Sequence, residues 1–257
     1  MVISERQQVI IALAKKSGRV NVEDLASEFE VSVQTIRKDL NELCAKNLLV
    51  RIHGGATVSS PAEDMSYRAR RFMEVEAKQA IGRAAAELVP NSCSIFVNIG
   101  TTTEAVASAL TKQQHIMVIT NNLNVAMQLY HRPTFETIVL GGLVRSSDGG
   151  VVGENAVDMI RHFRFDLAIM GVSAIDSNGN LFDRDYNELR AVRAIMESAK
   201  HTILVSDSSK FERTAPVRFG HISEIGTFVT DRLDDEEFRT VCERHSVRII
   251  EASPVQS

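Results

Sequence analysis

The sequence predicts an α/β chain in two parts: a small helical unit closed by a β-hairpin, then a larger unit built on a mostly parallel sheet. Three observations carry this. Apolar residues recur at helical spacing through three short segments before position 45. A Gly-Gly turn follows between two short β-rich runs. From Glu76 onward, helical and strand patterns alternate to the end. At 257 residues the chain is long enough for two domains.

The first helix is expected over 4–16, where Val9, Ile10, Leu13 and Ala14 share a face and Ser17-Gly18 stops it. Asn21 is placed to cap a second helix over 22–29, with Val22, Leu25, Ala26 and Phe29 on one side. After a brief turn, Ser32 caps a third helix whose buried stripe reads Val33, Ile36, Leu40 and Leu43. The opposite face carries Gln34, Thr35, Arg37, Lys38 and Asn41. Amide and cationic side chains of this kind suit base edges and phosphates in a DNA major groove. Residues 48–52 read as a strand, 53–55 as a tight turn and 56–58 as the returning strand, with Arg51 and His53 placed to touch a DNA backbone or minor groove. The helices alone would also fit a three-helix bundle with solvated charges; with the hairpin they have the order of a winged helix-turn-helix.

Residues 1–58 are therefore expected to form a DNA-binding domain, 59–75 a polar linker leading into a connecting helix, and 76–257 a second domain. In that domain helices are expected over 76–88, 102–110, 123–130, 154–162, 186–199 and 234–245. Strands are expected over 94–99, 116–120, 136–140, 166–172, 202–206, 228–230 and 247–250. Repeated βα units need crossovers, and hence parallel strands with helices on both faces.

Ligands of such sheets collect at the carboxyl ends of the strands. Those ends hold Gly100, Thr101, Thr102 and Thr103, then Asn121-Asn122, Gly141-Gly142 with Arg145, Asp176, Asp183 and Glu188, and Lys210. Gly100 permits a tight turn, and the three threonines open a helix whose free amides attract a phosphate. Lys210 and Arg145 add positive charge; Asn121, Asp176, Asp183 and Glu188 accept hydroxyl protons; Asn122 and the two glycines line the approach. Singly, each is as readily a loop cap or a surface ion pair. Their joint occurrence at one edge makes the case for an anionic, hydroxylated ligand.

The net charge of −4 argues against a protein that coats nucleic acid indiscriminately. Cys44, Cys93 and Cys242 make neither a disulfide framework nor a Cys-x-x-Cys pair, and the seven histidines lack ligand spacing, so no metal is expected. Neither a P-loop nor Gly-x-Gly-x-x-Gly follows a strand, which leaves no cofactor indicated. Without a signal peptide or an apolar run long enough to span a bilayer, the expected compartment is the cytoplasm, with no membrane partner.

The run Val31-Ser32-Val33-Gln34-Thr35-Ile36-Arg37-Lys38-Asp39-Leu40, followed by Arg51-Ile52-His53-Gly54-Gly55-Ala56, resembles the DeoR family of bacterial regulators, with Lys38 in place of the commoner arginine. In the second half Ile99-Gly100-Thr101-Thr102, Thr120-Asn121-Asn122, Gly141-Gly142 with Arg145, and Asp207-Ser208-Ser209-Lys210-Phe211 are similar to the effector domain of that family, related to the ribose-5-phosphate isomerase and glucosamine-phosphate deaminase fold. The resemblance implies a repressor of a carbohydrate-catabolic operon that binds operator DNA as a homo-oligomer and is released by a phosphorylated metabolite. Glycerol 3-phosphate is the first candidate and a sugar phosphate such as fructose 1-phosphate the alternative. Asn98 stands where the family often has aspartate, which removes a carboxylate acceptor. Ser173 and Val192 stand where an isomerase would carry its acids, so binding without turnover is expected rather than a sugar-phosphate isomerase.

Overall fold

The computed structural model describes residues 3–17, 19–46, 48–52, 54–57 and 67–252. His53 and residues 58–66, with much of the expected linker, lie outside the described residues. The chain divides into two compact units, Met1–Met73 and Glu74–Ser257.

The first unit runs α1 (Glu5–Ser17), β1 (Arg19–Asn21), α2 (Val22–Glu28), α3 (Val33–Ala45), β2 (Val50–Ile52), β3 (Gly55–Thr57) and α4 (Tyr67–Phe72). Asn21 caps α2 by accepting from the Glu23 amide at 3.0 Å. Ile10, Ala14, Leu25, Ile36, Leu40, Leu43 and Leu49 make the core. Val33, expected in the buried stripe, is 37% exposed: as the first residue of α3 it lies beyond the packed face, and Asp39 is buried there instead. The three strands pair antiparallel in the order β1-β3-β2. β1 was not expected, since three residues are too few for an alternation to register. Ala69 and Met73, both inside the expected linker, are buried in this same core.

The second unit begins with α5 (Val75–Ala86), β4 (Ser94–Val97), α6 (Thr101–Ala109), β5 (Ile116–Thr120), α7 (Leu123–Leu129) and β6 (Phe135–Val139). A hairpin of β7 (Leu143–Val144) and β8 (Val151–Val152) leads to α8 (Glu154–Arg161) and β9 (Phe165–Met170). Then come β10 (Ala174–Ile175), β11 (Asn180–Asp183), a 3-10 turn (Tyr186–Glu188), α9 (Leu189–Ser198) and β12 (Ala199–Val205). A 3-10 turn (Ser208–Lys210), β13 (Val217–His221), β14 (Thr227–Thr230), α10 (Glu236–Arg244) and β15 (Arg248–Glu251) complete it.

Seven strands form one sheet in the order β15-β14-β12-β9-β4-β5-β6, every neighbouring pair parallel. From β4 the chain winds outward through β5 and β6, then crosses back and fills the other side from β9 to β15. The winding direction reverses between β4 and β9. Side chains alternate across the sheet, so Ile95 and Val97 pack with Val106, Leu110 and Val118 on one face, while Phe96 joins Ile119, Phe165, Phe228 and Phe238 on the other. Both faces are covered, as parallel sheets require.

The expected 186–199 helix is split into a 3-10 turn and α9. The β7–β8 hairpin and the antiparallel sheet β10-β11-β13 were not expected; their strands have two to five residues each. Among the described residues no helix is long and apolar enough to cross a membrane.

Candidate functional site

In the first unit, α3 is held from its inner side. The buried Asp39 carboxylate accepts from Arg6 Nε at 2.6 Å and Gln7 Nε2 at 3.2 Å, and the same Gln7 amide donates to Glu42 at 2.8 Å. Ser32 caps the helix, accepting from the Thr35 amide at 3.1 Å with the two hydroxyls 2.8 Å apart. With α1 and α3 tied in this way, Gln34, Arg37, Lys38 and Asn41 all lie on the exposed face, and Thr35 is half-buried at its start. In the hairpin, Arg51 donates to the Gly55 carbonyl at 2.8 Å, so its guanidinium braces the turn while the residue remains exposed. Gly54 has φ +74°, and a Cβ on Gly55 would meet the Val20 carbonyl oxygen at 2.0 Å, so both glycines are needed for β3 to lie against β1. This is a braced helix with a cationic and amide face, flanked by a hairpin, the arrangement of a winged helix-turn-helix.

In the second unit, the loop that follows β4 lies beside the end of β9: the Asn98 amide donates to the Ile169 carbonyl at 3.0 Å, and a Cβ on Gly171 would lie 3.9 Å from the Ile99 carbonyl oxygen. Gly100, at φ +152°, turns the chain into α6, and no side chain caps that helix. Its first amides, from Thr101 to Thr103, have no intrahelical partner, and Gly100 and Thr101 are accessible from outside. Thr103 is not a ligand side chain: it is fully buried, and its hydroxyl donates to the Asn98 and Gly100 carbonyls at 2.7 and 2.8 Å, which shapes the loop. Asn122 is likewise internal. It caps α7 through the Asn124 amide and donates to Glu104 Oε1 at 3.1 Å. Asn121 is 2% exposed, and its Oδ1 has no hydrogen-bond partner.

Arg145 requires the largest correction. It donates through Nε and Nη2 to both oxygens of Asp148, at 2.9 and 2.6 Å, while Nη1 reaches Asp185 at 2.9 Å and Glu188 at 2.5 Å. Burial opposes its charge, but the bonds to Asp148 and the attraction of Glu188 and Asp148 raise its pKa. Surrounded by three carboxylates, it is a brace between the β7–β8 loop and the 185–188 turn, not an anion ligand. Burial, and then the nearby Asp183, push Glu188 up to about 7 against the pull of Arg145. Asp176 is occupied in closing the β10–β11 turn through the Asn180 amide and side chain, both at 2.8 Å. Asp183 accepts from Ser173 at 2.9 Å and from the Arg184 amide at 2.7 Å. Gly141 and Gly142 are exposed, and a Cβ on Gly142 would meet the Val152 carbonyl oxygen at 2.6 Å, so that glycine lets the hairpin close. The braced loop lies against the β4 turn: a Cβ on Gly150 would sit 2.7 Å from Ile99 Cδ1.

At the end of β12, Lys210 is buried at 7% exposure next to the fully buried Asp207. Asp207 takes a short hydrogen bond from Ser209 on one oxygen, and its Oδ2 has no hydrogen-bond partner. Burial works against its ionised form, but Lys210, Lys78, Ser209 and Arg213 together hold its pKa below the ordinary value. Lys78 and Glu104 belong to no motif in the sequence. Their signal is a charge on a buried stripe: Lys78 shares its face of α5 with Ile81, Gly82 and Ala85, and Glu104 lies among Thr103, Val106 and Ala107 of α6. A separate hollow of about 550 Å³ touches Ser94, Met117, Glu136 and Asp166 at the amino ends of the strands, the opposite edge from the switch point.

A groove-reading head and a sheet with an amide nest at its switch point define a DNA-binding regulator with a ligand-sensing domain. The chain matches the DeoR-like helix-turn-helix domain over residues 6–62 and the DeoR C terminal sensor domain over residues 73–232. It belongs to the DeoR family of transcriptional regulators, and that membership makes it a regulator rather than an enzyme. It is 43% identical over 246 residues to the glycerol-3-phosphate regulon repressor of Escherichia coli (strain K12), covering 96% of this chain and 98% of the relative. It is 45% identical over 222 residues to the glycerol-3-phosphate regulon repressor of Haemophilus influenzae, covering 86% and 87%. Among solved structures it is similar to ribose 5-phosphate isomerase from Plasmodium falciparum, at 19% identity and a TM-score of 0.39 over 54% of this chain and 53% of that one.

Proposed function

We propose that the chain represses a glycerol or related carbohydrate-catabolic operon in the cytoplasm and leaves its operator when a phosphorylated polyol, glycerol 3-phosphate first, binds the second unit. One observation carries the ligand class: an uncapped, accessible helix start at the switch point, with the buried Lys210 two strands away. The amides and the lysine supply the phosphate with donors and positive charge. Asn121 Oδ1 and Asp207 Oδ2, buried acceptors without donors, suit the hydroxyls of a polyol. The names of the two bacterial repressors support the same ligand and regulon.

On DNA, Gln34, Arg37, Lys38 and Asn41 contact the major groove and Arg51 with its hairpin the backbone. A symmetric oligomer places half-sites about 34–36 Å apart or at multiples of that distance. The exposed Val139 on edge strand β6, with Leu143 and Val144 just beyond it, supports self-association.

The test is a fluorescence-anisotropy titration of operator DNA with glycerol 3-phosphate, fructose 1-phosphate and inorganic phosphate. Glycerol 3-phosphate is expected to release the DNA at the lowest concentration. Earlier release by fructose 1-phosphate assigns the site to a sugar phosphate, and no release by any of the three rejects the ligand class.

A further inference from the structure

We infer that the outer edge of β6 is the surface through which two copies of this chain join, antiparallel, into one continuous sheet, with the exposed Leu143–Val144 pair of each copy seated at the hollow of the other. The inference rests on the symmetric-oligomer reading above and gives it a surface and a register.

β6 ends the seven-stranded sheet and pairs with β5 alone. The Leu140 amide donates to the Thr120 carbonyl at 2.9 Å, so the even-numbered residues of β6 turn their backbone groups toward β5. The amides and carbonyls of Thr137 and Val139 therefore point away from the sheet, with no backbone partner among the described residues. Open edges of this kind template pairing, and proteins blunt them with charges, prolines or bulges. The opposite edge strand, β15, is blunted in this way: Arg248 and Glu251 are exposed, and Glu251 is held by Arg239 at 2.9 Å. β6 is not. Its register with β5 is unbroken, and Glu136 is the one charged residue between Pro133 and Arg145. Much of the exposed apolar surface of the second unit lies on this side: Met127 and Tyr130 on α7, then Val139, Leu143 and Val144. Val139 shares its sheet face with Phe135, which packs with Val125 and Leu129 of α7, so it lies on the α7 side.

The occupant follows from the two ends of the edge. The hollow of about 550 Å³, with Met117, Pro133, Phe135 and Glu136 in its wall, opens at the amino end of β6, and the apolar pair Leu143–Val144 stands just past the carboxyl end. A two-fold axis normal to the sheet reverses the strand and exchanges its ends, so it carries the apolar pair of each copy toward the hollow of the other. With the odd-numbered residues facing outward on both edges, Thr137 exchanges hydrogen bonds with Val139 of the partner subunit and the axis passes at Ile138. A register centred on Thr137 would need the Phe135 amide, which already donates to the Arg132 carbonyl at 3.1 Å. Centred on Ile138, Leu143 comes level with Pro133 of the partner subunit, and the two Glu136 carboxylates stand roughly 14 Å apart along the seam. Both copies of α7 stay on the same face, so Met127 and Tyr130 flank the seam from either side.

The test uses the full chain, with association read by sedimentation velocity and register by cysteine cross-linking. Wild type is expected to sediment as a dimer or larger. Val139→Lys and Leu143→Asp, each checked for a cooperative melt, should weaken association roughly tenfold or more, since each buries a charge in the seam. Leu143 is 72% exposed, so Leu143→Asp is read alone if Val139→Lys does not melt cooperatively. Opposed residues at the axis lie about 4.5 Å apart at Cα, within reach of a disulfide, whereas residues four positions out of register are not. Under mild oxidation Ile138→Cys should therefore cross-link into a dimer beyond the level of wild type, and Glu136→Cys should not. Association unchanged in either folded surface variant, no disulfide in Ile138→Cys, or one in Glu136→Cys overturns the inference and leaves the ligand reading standing. A monomeric wild type rejects the symmetric-oligomer reading along with it.

Discussion

At the scale of residues, Arg145 shows how a side chain's chemistry depends on what surrounds it. Read with the Gly141-Gly142 turn it looks like a phosphate ligand; folded, it is enclosed by Asp148, Asp185 and Glu188. Two of those partners lie about 40 residues further along the chain, so no local pattern exposes them. Their packing makes a titration prediction. Glu188 rises from 4.5 to about 7, so the folded protein holds its proton where the unfolded chain has released it. The proton count is then higher in the folded state, and this group's contribution to stability falls as pH rises from about 4.5 to 7. Urea unfolding between pH 5 and 8 should show that loss in wild type and a flatter profile in Glu188→Gln. Equal slopes would mean that Glu188 titrates as an ordinary surface acid.

Elements differ in how plainly they can be read from sequence. The long amphipathic helices and the apolar parallel strands are visible because burial on one or both sides leaves a periodic trace, as in α5, α6, β4 and β5. The β7–β8 and β10–β11 ladders leave none, since strands of two to four residues are too short for an alternation to register. α4 falls in a polar stretch and is held by only a few buried residues, among them Ala69 and Met73. The candidate site shares this division: the Gly100 turn, Asn121 and Lys210 stand in readable loops, whereas Lys78 and Glu104 are visible only as charges out of place on helix faces. One glycine tests the packing that aligns the two helices. Gly82→Ala places a methyl 2.6 Å from the Ala105 carbonyl oxygen, a backbone atom that cannot turn aside. Such overpacking costs about 1–3 kcal/mol. Thermal unfolding should show a clear drop in Tm; an unchanged Tm would mean that α5 and α6 separate freely at this contact.

On the scale of the whole molecule, the two units carry separate chemistry: a cationic helix face in the DNA-binding unit, and in the sensor unit an uncapped helix start and the buried Asp207–Lys210 turn, proposed here to hold an anion. Regulation requires that they share one free energy. A ligand releases the operator only if it binds the DNA-competent conformer less tightly than the other, and a coupling of about 1–3 kcal/mol, or about 5–150-fold, is the usual range. Linkage makes the coupling reciprocal, whatever path it takes. The most direct measurement is therefore calorimetric titration of glycerol 3-phosphate into the free protein and into its complex with operator DNA. The account predicts that DNA weakens ligand binding by the same factor by which saturating ligand weakens DNA binding. Identical ligand affinity with and without operator would contradict it.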